Sequence, residues 1–255
     1  MHDDRRRAES FGLAAERYDR SRPTYPDGLL DAVVGSDPGG LDVLDVGCGT
    51  GISSRLLAAR GARVLGVEAD ERMAEVARNR GTRVEVGRIE GWDPAGRTFD
   101  RVTAAQAWHW VDPYAGAVKA ARILRPGGRL CLFWNIGNPP EDVAAALDEV
   151  YDRLAPGTDS YSVALGYAVD KEYRDEKDGI RSCPDLTDPV DERFPWSRRY
   201  TTAEWLDQLP THSDHATMEP ALLGHVLDAV AGVVDGFGGS FEMRYSTLLI
   251  SATRT

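Results

Sequence analysis

Apolar and polar positions along this chain fall into two alternating rhythms. Short apolar runs, of the kind that make strands buried on both faces, alternate with segments whose apolar residues recur at helical spacing. Near the N-terminus Phe11, Ala14, Ala15 and Tyr18 share one helical face, broken at Pro23. A second helix is predicted from about Pro26, carrying Leu29, Leu30, Val33 and Val34. The run at 41–46 reads as a strand and leads into a helix from Ile52, with Gly61 placed to end it. The alternation then repeats. A strand ends at Glu68, a helix over 70–80 is closed by Gly81, and third and fourth strands follow at 82–87 and from Phe99. Asp112 and Pro113 open a helix whose expected buried stripe is Tyr114, Ala117, Val118 and Ala121. The turn RPGG (125–128) leads to a fifth strand, Arg129 to Trp134.

Beyond Asn135 the rhythm changes. Val143, Leu147, Val150 and Leu154 give one more helical face, and residues 155–193 are polar with weak periodicity, which points to a cap over the sheet. RFPWSRRYT (193–201) reads as a sixth strand. Thr201 and Glu204 have capping-box spacing for the helix after it. A longer helix is expected over 220–234 and a last strand over 241–254. The pattern therefore predicts an α/β fold: a doubly wound, mostly parallel seven-stranded sheet with helices on both faces. The expected organisation is a nucleotide-binding core over 1–135, a cap or lid insertion over 136–193, and a C-terminal part over 194–255 that completes the sheet.

Composition narrows the partners. The chain has 255 residues and a formal charge of −11, which disfavours a phosphate backbone and makes nucleic acid a poor partner. The start MHDDRRRAES lacks an apolar signal region, and no segment approaches the length of a membrane span. Cys48, Cys131 and Cys183 are widely spaced and odd in number, so neither a disulfide framework nor a metal site is expected. A cytoplasmic protein is the reading these features support.

The chemistry concentrates at LDVLDVGCGTG (41–51), where a strand meets a glycine loop and then a helix. Glycines at 47, 49 and 51 let backbone approach a ligand where a Cβ would collide. The spacing is neither the dinucleotide pattern G-x-G-x-x-G nor a Walker loop with its Lys-Ser or Lys-Thr pair. Glu68 lies 21 residues beyond Gly47 at the end of the second strand, where a carboxylate can accept both hydroxyls of a ribose.

VLDVGCGTG, with GVEAD and RPGGRL, resembles the class I S-adenosylmethionine-dependent methyltransferases. The small-molecule branch with the trans-aconitate and biotin-precursor methyltransferases is the most similar part of that family. The resemblance implies a Rossmann-like methyltransferase fold with S-adenosyl-L-methionine as cofactor and S-adenosyl-L-homocysteine as product. It implies that Asp45, Gly47, Cys48 and Gly49 line the methionine end of the cofactor, that Glu68 and Ala69 serve the ribose, and that Met73 flanks the adenine. Arg88 stands where the family commonly has an acidic residue for the adenine edge, so Ile89 or Glu90 is expected to substitute. Gln106 and Ala107 would sit beside the sulfonium, and Tyr18 and Arg22 would close the site.

In AAQAWHWVDP (104–113), directly after the fourth strand, His109 is the leading candidate base, flanked by Trp108 and Trp110 as substrate walls. His212 and His215 in THSDH are the second candidates for the base, and for contact with substrate from the cap side. The expected function is methyl transfer to the oxygen or nitrogen of a small molecule, a carboxylate or a phenol or other hydroxyl among the options. A non-catalytic cofactor binder and an NAD-dependent oxidoreductase are the alternatives. The oligomeric state is not readable from the sequence.

Overall fold

The structure is a computed structural model that describes residues 15–35, 39–156 and 173–255. After helices α1 (Ala15–Ser21) and α2 (Asp27–Val34), the chain alternates strands and helices: β1 (Asp42–Val46), α3 (Ile52–Ala59), β2 (Arg63–Glu68), α4 (Glu71–Asn79), β3 (Arg83–Val86) and β4 (Phe99–Ala105). A 3-10 turn at Trp108–Trp110 leads to α5 (Pro113–Ile123), β5 (Leu124–Asn138) and α6 (Glu141–Leu154). The remaining elements are α7 (Arg174–Arg181), β6 (Val190–Thr201), α8 (Thr202–Gln208), α9 (Ser213–Ala216), α10 (Pro220–Gly236) and β7 (Ser240–Thr253).

These strands form a seven-stranded sheet in the order β3-β2-β1-β4-β5-β7-β6. The pairs from β3 to β5 are parallel, and β7 runs antiparallel to both β5 and β6. From β1 the chain winds outward through β2 and β3, then returns to β4 on the other side of β1. Loops leaving the ends of β1 and β4 diverge there and open a crevice, the usual ligand position in such sheets.

Alternation along the central strands supplies both layers of core. In β5, Leu130, Leu132 and Trp134 pack with Ala117, Ala120 and Ala121 of α5, whereas Cys131 and Phe133 pack with Leu29, Leu30 and Val33 of α2 and Leu57 of α3. A further cluster joins α6, α8 and α10 to the β6–β7 end through Val143, Leu147 and Val150, together with Trp205, Val230 and Phe241.

Helix boundaries follow local chemistry. Asp70 accepts from the Arg72 N–H, and Asp112 from the N–H groups of Tyr114 and Ala115. Thr201 and Glu204 form the reciprocal capping box the sequence predicts.

Three expectations are corrected or extended. The buried face of α5 is Gly116, Ala117, Ala120 and Ala121, while Tyr114 and Val118 are exposed. The reason is close packing, since a Cβ on Gly116 would lie 2.4 Å from Val111 and 2.9 Å from Trp108. The RPGG turn is absorbed into β5, whose irregular register is satisfied by Gly127 N–H donating to Arg254 O and Arg254 N–H donating to Gly128 O. Within the polar stretch, α7 forms and packs so tightly on α5 that a Cβ on Gly179 would lie 2.3 Å from Pro113 O. Phe11 and Ala14 of the first predicted helix, and residues 157–172 of the expected cap, lie outside the described residues.

One buried carboxylate joins the centre of the sheet to the helix after the glycine loop. Asp45 accepts from Ser53 Oγ and Ser54 Oγ, each at 2.6 Å, and from Thr103 Oγ1 at 3.0 Å, tying β1 to α3 and β4. Replacing it with alanine leaves three buried hydroxyls without that acceptor. Asp45→Ala is expected to lower unfolding free energy by about 3 kcal/mol, read as an earlier midpoint in urea denaturation.

Candidate functional site

The loop from Gly47 to Gly51 turns because its three glycines take φ of +61°, +57° and +83°. Space forbids substitution as well. A Cβ on Gly47 would lie 2.6 Å from Ala107 Cβ, and one on Gly51 would lie 2.6 Å from Thr82 Oγ1. Gly66 of β2 serves the same loop, since its own Cβ would meet Cys48 Sγ at 2.5 Å. Cys48 is accordingly tucked against the sheet, and burial pushes its thiol well above the ordinary range.

Above this loop lies a cavity open to solvent. Tyr18, Arg22, Pro23 and Tyr25 line it from the N-terminal segment; Gly47, Cys48, Gly49, Thr50, Ile52 and Ser53 from the loop and the start of α3; Ala105, Gln106 and Asn135 from the ends of β4 and β5. Six expected residues are thus brought together: Tyr18, Arg22, Gly47, Cys48, Gly49 and Gln106. Thr50 and Asn135 escaped the sequence reading, although Thr50 lies in the loop itself and Asn135 follows the fifth expected strand. Tyr25 sits in the same YDRSRPTYP segment as Tyr18 and Arg22, and only its place against Phe133 shows which way it faces.

Two buried atoms at the cavity lack partners among the described residues, Thr50 Oγ1 and Arg22 Nε. Arg22 lies over the Tyr18 ring at 4.7 Å and donates from Nη2 to Thr211 O at 2.6 Å. Among the described residues no carboxylate pairs with it, in contrast to neighbouring Arg17 and Arg20, which both reach Asp207. Gln106 holds φ of +57°, a left-handed conformation costly for a non-glycine residue. Its backbone N–H donates to Phe133 O at 2.9 Å and its Nε2 to Asn135 O at 3.3 Å.

Glu68 borders the loop from β2. Its Oε2 accepts from the Gly49 N–H at 2.8 Å and its Oε1 from the Asp70 N–H at 2.9 Å. Burial raises its pKa, and the two backbone donors oppose that shift. Each oxygen retains a lone pair for a further donor.

The other expected residues occupy different surroundings. Asp45 lies under the loop with its oxygens engaged by Ser53, Ser54 and Thr103. Met73 is buried beneath Gly49 and packs with Ala15, Val76 and Tyr18. Ala69 is exposed, Ile89 belongs to the main core, and Glu90 accepts from the Asp112 N–H. Ala107 is buried under Gly47. Trp108, expected as a substrate wall, is fully buried against α5, so its ring is core. Trp110 remains half-buried beside His109.

His109 differs from the base that the sequence suggested. Its Nδ1 accepts from Trp134 Nε1 at 3.2 Å. An indole nitrogen only donates, so neutral His109 carries its proton on Nε2 and presents a donor. Burial lowers its pKa to about 4, which keeps it neutral. His212 lies elsewhere, between Arg22 and His215, and burial together with the Arg22 charge holds its pKa well below the ordinary histidine value. Among the described residues no group of three or more His, Cys, Asp or Glu side chains is placed to hold a metal ion, and no helix is long and apolar enough to cross a membrane.

Comparison with known proteins finds relatives for this part of the chain. Residues 44–132 match the model of a methyltransferase domain. Over 146 residues the chain is 41% identical to an uncharacterised methyltransferase of Mycobacterium tuberculosis, covering 56% of this chain and 59% of that protein. It is 36% identical over 134 residues to a ubiquinone biosynthesis O-methyltransferase of Leptothrix cholodnii, covering 48% and 57%. The match therefore spans somewhat more than half the length of these relatives. Among solved structures, a protein of Anaeromyxobacter dehalogenans assigned to the type II methyltransferases superposes with TM-score 0.61 at 24% identity, covering 90% of this chain and 97% of that one. A phosphoethanolamine N-methyltransferase of Haemonchus contortus superposes with TM-score 0.53 at 13% identity, covering 95% and 57%, and shares the fold. Residues 44–132 of this chain thus match a methyltransferase domain, and the chain shares its fold with solved methyltransferases.

Proposed function

We propose that the chain transfers a methyl group from S-adenosylmethionine to a small-molecule acceptor. The observation that carries this reading is the cavity at the switch between β1 and β4, floored by a glycine loop that Glu68 braces through the Gly49 N–H. The residues present fit the cofactor. Glu68 offers lone pairs to ribose hydroxyls beside the loop, where a pyrophosphate would meet a carboxylate instead of a donor. The Arg22 guanidinium, with Nε unpartnered, and the unpartnered Thr50 hydroxyl suit a carboxylate at the methionine end.

When bound, the cofactor supplies an electrophilic methyl group on a sulfonium, so the protein's work is positioning and exclusion of water. Tyr18, Arg22 and Tyr25 wall the cavity from the N-terminal side, and Arg17 and Arg20 hold α1 to Asp207 of α8. Gln106 and Asn135 hold the ends of β4 and β5 at the crevice. His109 serves this reading as a neutral donor, not as the base. The net negative charge and the three free, buried cysteines support a small-molecule acceptor and a cytoplasmic setting over nucleic acid.

Label transfer tests the activity directly. Purified protein with methyl-labelled S-adenosylmethionine and a small-molecule extract of the cell of origin is expected to label a discrete low-mass compound. Cofactor binding without transfer would favour a non-catalytic binder, and preference for NAD over S-adenosylhomocysteine would overturn the reading. Glu68→Ala and Glu68→Gln should each weaken S-adenosylhomocysteine binding, the alanine by roughly 10- to 100-fold, the scale of one charge-assisted hydrogen bond. Calorimetric titration alongside circular dichroism checks this, and unchanged affinity would remove Glu68 from the site.

A further inference from the structure

The wall that the N-terminal segment gives the cavity has a fastening of its own. Pro23 and Tyr25 both line the cavity, and between them the Thr24 carbonyl accepts from Asn135 Nδ2 at 2.9 Å. Asn135, itself a lining residue of β5, lies directly opposite Thr247 of β7 in the sheet. Its Oδ1 accepts from Thr247 Oγ1 at 2.6 Å. Thr247 is fully buried, and its Oγ1 accepts in turn from Trp196 Nε1 of β6 at 2.9 Å.

The direction of this chain of bonds is set at its far end. An indole nitrogen only donates, so the Thr247 hydroxyl accepts there and gives its single proton to Asn135. The Asn135 amide must then turn its oxygen to Thr247 and its nitrogen to the N-terminal segment. The Thr24 carbonyl, which only accepts, requires the same orientation from the other side. The Trp196 ring is held as well, stacked on Tyr245 with centroids 4.5 Å apart and planes at 16°. The main chain of Asn135 adds one more tie, since its carbonyl accepts from Gln106 Nε2 at 3.3 Å. One asparagine thereby joins the end of β4, the antiparallel strands and the segment over the cavity.

What the fastened wall offers a ligand is donors. Arg22 Nε has no partner among the described residues. Tyr25 is 8% exposed and packs edge-on against Phe133, and its hydroxyl makes no hydrogen bond to the described residues. Thr50 of the glycine loop lines the same cavity, its Oγ1 likewise unpartnered. Two neutral hydroxyls and a guanidinium suit an anionic group, and the cofactor carries one in the carboxylate of its methionine end.

We propose that Asn135 is a positioning residue for the methionine end of the cofactor. Held by Thr247 and Trp196, its amide fastens Thr24 and so keeps Arg22 and Tyr25 turned to the cavity as donors for the carboxylate. The proposal rests on the methyltransferase reading above. Asn135 acts here through the wall, without touching the carboxylate itself. The ion pairs of Arg17 and Arg20 hold the segment farther back in α1, and Arg22 is tied to Thr211, so Thr24 is the tie adjacent to Tyr25. Thr24 is exposed, so its bond to Asn135 governs geometry and adds little to folding.

The test titrates the full chain calorimetrically with S-adenosylhomocysteine and with 5′-methylthioadenosine, which keeps the adenosine and lacks the carboxylate. Asn135→Ala is expected to weaken S-adenosylhomocysteine binding about 3- to 10-fold, the scale of one hydrogen bond, and to change 5′-methylthioadenosine binding less than about 2-fold. Asn135→Asp keeps the size of the side chain but sets a carboxylate oxygen against the Thr24 carbonyl, and should lose at least as much. Thr247→Val, which frees the amide to turn, should share the loss, whereas Thr247→Ser, which keeps the hydroxyl, should bind as the wild type does. Thermal melts accompany each variant, and Asn135→Asp and Thr247→Ser are expected to fold. Unchanged S-adenosylhomocysteine affinity in Asn135→Asp overturns the positioning role. Equal losses for the two ligands overturn it too, because they mark a general loosening, and so does a loss in Thr247→Ser as large as in Thr247→Val. Failure of the wild type to bind S-adenosylhomocysteine overturns the methyltransferase reading itself.

Discussion

The carboxylate of Asp45 is the junction on which the site depends. It lies near the end of the central strand, inside the core, and accepts from hydroxyls on α3 and β4. The strand that enters the glycine loop, the helix that leaves it and the strand across the switch are thereby fixed to one another. A buried charge without a cation is costly unless its lone pairs are filled, and three hydroxyls fill them here. The glycine loop can then hold three left-handed residues at alternate positions, because both of its ends are pinned. The cavity above it inherits its shape from that junction.

The second constraint is the crossing of the N-terminal segment over the cavity. The ion pairs from Arg17 and Arg20 to Asp207 are exposed, and pairs of that kind contribute little each. Their geometric effect is larger than their energy. They set α1 against α8, and Arg22, just past the end of α1, then bridges the cavity to Thr211 and the His212 loop. Parts of the chain nearly two hundred residues apart in sequence meet at one guanidinium.

Histidine chemistry shows why residue type alone does not assign a role. His109 lies directly after a strand end, flanked by tryptophans, in the position where a base is expected. A donor-only neighbour, Trp134, from the next strand turns it into a hydrogen-bond donor. The contact beside His212 is of another kind: an amide that can present either face.

The strands, their parallel winding and the glycine loop were already legible in the order of residues. Those features come from period-two and period-3.6 patterning, from caps such as Asp112 and from glycines whose conformation no other residue adopts cheaply. Gly47, Gly49 and Glu68 were legible as a unit too, since a fixed spacing places them at adjacent strand ends. The remaining features depend on partners distant in sequence. The phase of α5 was set by Trp108 and Val111 against Gly116, the insertion of RPGG into β5 by the C-terminal Arg254, and the buried place of Trp108 by α5. The state of His109 was set by Trp134, and the reach of Arg22 by Thr211. Local patterning fixes an element because its causes lie within a few residues; a side chain's protonation and its access to a cavity are set by whatever the fold brings against it.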